Sequence, residues 1–242
     1  MTWVIFKREF ASFFATPVAY VFILIFLMMS GVFTFFFGGL YERGQADLLP
    51  FFNFLPWLYL FLVPAIAMKS WSEERKSGSI ELLMTLPITI KQAMFGKFLA
   101  AWFVIGLALI LTFPLVITVN YLGLPDNGII ISAYIASWFM SAAFLAIGMC
   151  MSAISKSQVV AFILAVVVCF LFVLSGTGMV LSALKGIVPS LVLDTVASFS
   201  FLTHFEAMAK GVISLNDIFY FVLVSFIWLW AGLVVVQQKK AD

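Results

Sequence analysis

The ionisable residues of this chain are densest in one stretch, residues 69–97, which separates two strongly apolar regions. Carboxylates and cations lie there within a few residues of each other, whereas the segments on either side carry almost no charge. The stretch does not provide the convergent acid, base and nucleophile that catalysis requires. Its charged residues include Glu73, Glu74, Arg75, Lys76, Glu81, Lys91 and Lys97.

Groups that could drive chemistry or ion coupling are absent from the apolar regions of the sequence. No predicted span has Asp, Glu, Lys, Arg or His in its interior, although proton- and ion-coupled carriers keep such residues at membrane depth. The sequence also lacks a His-Glu-x-x-His metal motif and a Gly-x4-Gly-Lys-Ser/Thr nucleotide loop. We therefore expect no metal, no bound cofactor and no enzymatic activity in this chain, and any energy must come from another one.

Composition places the chain in a membrane. Of its 242 residues, 64% are hydrophobic and 10% are charged, whereas soluble domains average about 25% charged residues. The net charge of +2 gives no reason to expect a nucleic-acid partner. Cys150 and Cys169 both lie in apolar runs, which favours two buried thiols over a redox pair.

The hydrophobic pattern predicts an all-α polytopic membrane protein that forms one transmembrane domain over residues 1–242. Residues 1–17 are expected to form an amphipathic helix at the membrane interface, with Trp3 on its apolar face and Lys7 and Arg8 towards lipid headgroups, and Pro17 ends it. A frayed terminus is the alternative. Six spans follow, each near the roughly 20 residues that a bilayer core requires. They are residues 18–37, 51–68, 98–119, 132–154, 159–181 and 218–236.

Basic residues predict the orientation. Six spans place ten cations on the side of the termini and three on the other side, and the side richer in Lys and Arg is cytoplasmic. We therefore expect a multi-pass membrane protein with both termini and residues 69–97 in the cytoplasm.

Residues 69–97 contain signals for short, capped helices. Ser70 and Glu73 have capping-box spacing, Gly78 is an expected helix end, and Ser79 can begin a second helix. Thr89 and Gln92 form another capping box at the start of the third span, with Lys91 and Lys97 expected at the membrane interface. An ordinary charged loop is the alternative. Apolar residues favour a docking helix instead: Ile80, Leu82, Leu83, Met84 and Leu86.

Residues 182–217, between the fifth and sixth spans, are expected to form short helices on the external side. Thr203 and Glu206 have capping-box spacing, and Gly211 lies where a helix would end. His204 is the only histidine of the chain, and a structural role is favoured over a ligand or a base.

These residues carry a resemblance. The run from Glu73 to Pro87, Glu-Glu-Arg-Lys-Ser-Gly-Ser-Ile-Glu-Leu-Leu-Met-Thr-Leu-Pro, followed by Lys91 and Gly96-Lys97, resembles the signature of ABC-2-type permeases. Those are membrane subunits of a class of ATP-binding-cassette transporters. The gliding-motility-associated branch is similar in further stretches: Phe6-Lys-Arg-Glu-Phe, Thr16-Pro-Val-Ala-Tyr and Phe201-Leu-Thr-His-Phe, with Asp217 and Tyr220.

The resemblance implies an interfacial elbow helix, six spans and a coupling helix after the second span that sits in a cleft of the ATPase subunit. It also implies a second permease chain, with ATP and Mg on the ATPase partner. The implied ATPase contact residues are Glu73, Glu74, Arg75, Gly78, Ser79, Glu81, Leu82, Leu83 and Pro87. The implied lining of the pathway or dimer axis comprises Asn53, Trp57, Tyr59, Phe172 and Ser175, although these side chains could equally pack against lipid or one another.

The sequence thus predicts a permease subunit that is driven by a separate ATPase and moves an amphipathic substrate. The alternative is an ATP-driven mechanical or scaffold complex that acts on envelope partners without moving solute. The external segment, residues 182–217, motivates that alternative because it could bind a periplasmic accessory subunit.

Overall fold

The computed structural model describes residues 1–78, 88–185, 189–212 and 214–238, and the regular elements in these ranges are helices. A π-helical turn, Phe33–Phe37, extends the second helix. The helices are α1 (Thr2–Ala15), α2 (Val18–Val32), α3 (Leu49–Ala67), α4 (Lys69–Ser77), α5 (Ile90–Ile110), α6 (Phe113–Leu122), α7 (Asn127–Ile154), α8 (Gln158–Leu174), α9 (Gly178–Leu184), α10 (Ser190–Ser198), α11 (Phe201–Ala209) and α12 (Leu215–Gln238).

Within the described ranges, five helical stretches are long and apolar enough to cross a membrane. They are Val18–Phe37, Leu49–Ser77, Ile90–Leu122, Asn127–Ile154 and Leu215–Gln238. The predicted fifth span is a shorter apolar helix, α8, of 17 residues. It ends at Leu174 because the chain turns at Ser175 and Gly176 before α9 begins at Gly178.

The third span is longer than predicted and is interrupted. Helix α5 ends at Ile110 and α6 begins at Phe113, with Pro114 at the start of α6, where its missing N–H does no harm. The Thr112 hydroxyl donates to the Leu109 carbonyl at 2.6 Å and lies 2.7 Å from the Tyr134 hydroxyl of α7. These hydroxyl groups form hydrogen bonds where the backbone hydrogen bonds of the helix are interrupted. In a membrane interior, polar groups require such partners within the protein.

Helix α7 is the centre of the bundle. It packs most extensively against α12 and α3, and also against α8, α11, α5 and α4. Many of its buried residues are small, among them Ala136, Ala143, Ala146, Gly148 and Ser152. Small side chains let helix backbones approach closely, which is how membrane helices gain packing energy.

Gly148 marks a close contact between α7 and α3. A Cβ atom built on Gly148 would lie 2.5 Å from the Ala67 Cβ, well inside van der Waals contact. Any side chain at this position must therefore push α3 and α7 apart.

We expect Gly148→Ala to destabilise the protein by about 1–3 kcal/mol, because the added methyl overpacks the α3–α7 contact. Thermal unfolding of the purified protein in detergent measures this as a lower Tm. The matched control is Gly31→Ala in α2, where a Cβ meets nothing within 4 Å. An equal Tm for the two variants would contradict this account of the packing.

Candidate functional site

Helix α4 prolongs the second span beyond its apolar part. Met68 has helical dihedral angles, φ −56° and ψ −30°, so α3 and α4 run on as one stretch from Leu49 to Ser77. The predicted Ser70–Glu73 capping box is therefore wrong, because Ser70 lies inside a helix that has already begun. Gly78 ends α4 in the left-handed region, at φ 71°, as the sequence predicted.

Lys97 joins three helices at this end of the bundle. Its ammonium, on α5, lies 2.8 Å from Glu74 Oε1 on α4 and 3.5 Å from Glu9 Oε2 on α1. It also lies 5.5 Å from the centroid of the Trp71 ring. Lys97 is only 7% exposed, so these carboxylates and the ring replace most of its hydration shell.

A cavity of about 550 Å³ lies between α1 and α4, and Glu9, Glu74 and Lys97 all line it. The ion cluster is thus open on one side and is not sealed inside the core. Partial access to solvent moderates the attraction between the charges.

Ser152, near the end of α7, holds α4 on its other flank. The Ser152 hydroxyl accepts hydrogen bonds from the Trp71 and Ser72 amides, both at 3.0 Å, and donates to the Met68 carbonyl at 2.8 Å. These hydrogen bonds join the Ser152 hydroxyl to backbone groups of the α3–α4 junction. These hydrogen bonds fix the junction to α7, because a buried backbone group without a partner costs free energy.

Arg75 fixes α4 to the end of α7. Its Nη1 donates to the Ala153 carbonyl at 2.8 Å and to the Ile154 carbonyl at 3.0 Å. These are among the last carbonyls of α7, which have no partner within their own helix, and a cation there is favourable. We refer to Glu9, Glu74, Arg75, Lys97 and Ser152 as the α4 clamp.

The residues predicted to contact an ATPase fall into three groups. Glu73 and Gly78 are exposed on α4 and at its end. Glu74 and Arg75 instead bond within the chain, to Lys97 and to α7. The remaining ones lie outside the described residues: Ser79, Glu81, Leu82, Leu83 and Pro87.

The residues predicted to lie at the membrane interface fall into two groups. Trp3, Lys7, Arg8 and Lys91 are exposed, and the Lys7 ammonium lies 5.6 Å from the centroid of the Trp3 ring. Lys97 is buried instead, between its carboxylate partners on α1 and α4.

The residues predicted to line a pathway or dimer axis do not share one surface. Asn53 and Trp57 are exposed on α3, whereas Tyr59 is fully buried against Phe26. Phe172 stacks on Phe201. The Ser175 hydroxyl donates to the Phe172 carbonyl at the end of α8.

Two members of the clamp, Glu9 and Ser152, were not predicted as functional residues. Glu9 is the only acidic residue of α1, a basic amphipathic helix, and this single negative charge could have identified it in the sequence. Ser152 is one of many small residues in an apolar run, and nothing in its neighbours distinguishes it.

Several long apolar helices, together with a helical extension held at one end by charged side chains, define a multi-pass membrane protein. The family model of the ABC-2 family transporter protein matches residues 3–238, nearly the whole chain. The chain therefore belongs to the ABC-2 transporter family, whose members are membrane components of transporters. A comparison with curated proteins gave no significant match.

We expect Lys97→Met to destabilise the protein by roughly 2–4 kcal/mol, because Glu74 and Glu9 then lose their common cation. The control on the same helix is Lys91→Met, an exposed site where surface substitutions change stability by about 0.5 kcal/mol or less. Tm in detergent measures both. An equal Tm for Lys97→Met and Lys91→Met would show that Lys97 does not stabilise the contact between α1, α4 and α5.

We expect Arg75→Met to weaken the end of α7, because the Ala153 and Ile154 carbonyls lose the hydrogen bonds from the Arg75 guanidinium. Amide hydrogen exchange in residues 150–156 should become roughly tenfold faster, the effect of losing a charged hydrogen bond. Lys76→Met, at the exposed neighbouring position, should leave that exchange unchanged. Unchanged exchange in both variants would contradict the assignment.

Proposed function

We propose that this chain is the membrane subunit of an ATP-binding-cassette transporter and that a separate ATPase subunit drives it through residues 69–97. The observation that carries the proposal is the α4 clamp. A loop that only joined two spans would not require a continuous helix bonded to three others.

The geometry explains how a force at Gly78 would spread. The Leu49–Ser77 stretch has 29 residues, and at 1.5 Å per residue it is about 44 Å long. Movement at its end would reach α1 and α5 through Lys97, and α7 through Ser152 and Arg75. Four helices would therefore move as a unit.

The proposed assembly contains two permease chains and two ATPase subunits, and ATP and Mg bind on the latter. It lies in the bacterial inner membrane with both termini cytoplasmic, an orientation supported by the cations of α1 and α4 at the clamped end. Within the family we favour the gliding-motility-associated branch, on the motifs around Phe6, Thr16 and Phe201.

The proposed cargo is amphipathic, in keeping with apolar spans that expose few polar groups, such as Asn53 on α3. A mechanical complex without cargo remains the second candidate. Exposed apolar residues at the opposite end favour it, among them Val192 on α10 and Phe199 after it. Flux of an amphipathic solute across proteoliposomes that contain the complete complex distinguishes the two.

The test of the coupling role is co-purification of the ATPase subunit with a Glu81→Lys, Leu83→Asp double variant. A reversed charge and a new carboxylate on the proposed docking face should reduce capture at least about tenfold. The matched control makes the same changes at the opposite end, Glu206→Lys and Leu215→Asp, where both residues are exposed. Equal capture by both double variants would contradict the proposed docking site.

A further inference from the structure

At the end of the bundle opposite the α4 clamp, three helices meet around the only histidine. His204 Nδ1, on α11, lies 2.6 Å from Asp217 Oδ1 in the first turn of α12. Its Nε2 lies 3.0 Å from the Ser198 carbonyl oxygen at the end of α10. The side chains of His204 and Asp217 are mostly buried, at 20% and 12% exposure.

Helix α11 begins at Phe201, so the predicted capping box of Thr203 and Glu206 is wrong.

The proton count of this arrangement is fixed by its partners. A carbonyl oxygen only accepts hydrogen bonds, so Nε2 must carry a proton. The contact between Nδ1 and the carboxyl group needs a second proton, on either the ring or Asp217. Both alternatives place two protons on the pair, whichever atom holds the second one. A neutral imidazole beside an ionised carboxylate has one proton too few for both bonds.

Other contacts place the imidazole rigidly between α10 and α12. The His204 ring stacks on the Tyr220 ring of α12, with centroids 3.9 Å apart. The Tyr220 hydroxyl donates to the Phe199 carbonyl, which follows α10, at 2.5 Å. The ring cannot therefore turn to another partner without breaking this packing.

Among the described residues, few other ionisable groups lie on the helices that pack against α11. The helices α3, α7 and α8, which pack against α11, contain no Asp, Glu, Lys, Arg or His in their sequences. On α11 itself, Glu206 and Lys210 form an exposed pair 3.8 Å apart. Helix α12 contributes Asp217 and Tyr220, and the sequence of α10 contains one acidic residue, Asp194.

We propose that His204 and Asp217 form a proton-dependent latch that holds α10 and α11 against α12. With two protons on the pair, both hydrogen bonds form and the three helix ends are joined. With one proton, a bond is lost and α10 or α11 separates more readily from α12. This property is independent of the proposed transport function, because it needs neither an ATPase subunit nor a cargo.

The test is amide hydrogen exchange of residues 199–212 in the full-length protein in lipid nanodiscs. Histidine side chains ordinarily lose their second proton near pH about 6.5, so exchange is compared at about pH 5.5 and about pH 8.5. Rates are corrected for the intrinsic dependence of exchange on pH. In the unmodified protein, we expect the corrected rates at the higher pH to be faster by roughly tenfold or more.

Two variants make the test specific. In Asp217→Asn the amide can donate to Nδ1 of a neutral imidazole, while Nε2–H still donates to Ser198. This variant should stay protected at both pH values. His204→Phe keeps the ring stacking but removes both bonds, so it should exchange rapidly at both. Glu206→Gln, next to the pair but outside it, should keep the pH dependence of the unmodified protein.

Corrected rates that do not change with pH in the unmodified protein would overturn the latch. It would also fail if Asp217→Asn kept the full pH dependence, because another group would then be responsible. Should His204→Phe not fold, the comparison between the unmodified protein and Asp217→Asn still decides the question.

Discussion

The close approach of α7 to its neighbours is the constraint on which the rest of the structure depends. In a bilayer, apolar surface gains little by leaving lipid for protein, so packing distance and internal hydrogen bonds must stabilise the bundle. Alanine, serine and glycine on α7 permit that distance. The contact of Gly148 with Ala67 shows how little space remains between α7 and α3.

The same helix connects the two polar regions of the protein. Near one end, the Ser132 hydroxyl donates to the Met208 carbonyl of α11 at 2.7 Å. Near the other end, Ser152 bonds the start of α4, and the last carbonyls of α7 accept from Arg75. Both regions therefore rest on one helix that is buried along most of its length. A displacement of α7 would therefore act on both the α4 clamp and α11, the helix that carries His204.

The partly buried charged side chains described above form two clusters, towards opposite ends of the bundle. Lys97, Glu74 and Glu9 meet where α1, α4 and α5 come together, and His204 and Asp217 meet where α10, α11 and α12 do. Both clusters keep some access to solvent, which lowers the cost of removing charges from water. The apolar middle of the bundle is left to aromatic and small side chains.

Local signals predicted much of the secondary structure. Pro17 separates α1 from α2, and Thr89 and Gln92 cap α5 reciprocally. Where a predicted cap was wrong, the helix had already begun before it. Ser70 and Thr203 lie inside helices because α4 continues α3 and α11 begins at Phe201. The fifth span is shorter than its hydropathy indicated, since α8 ends at Leu174 and the chain turns at Ser175 and Gly176.

By itself, the sequence determined the class of this protein, because hydropathy and the run from Glu73 to Pro87 depend on neighbours along the chain alone. It also indicated that residues 69–97 hold the densest charge. Only the tertiary structure decided that Lys97 is buried against Glu9 and Glu74 and that His204 faces Asp217. Glu9 and Lys97 are far apart in sequence, and only the packing of α1 on α5 brings them together. A periodic pattern states which face of a helix is apolar, but it does not state which helix will cover it.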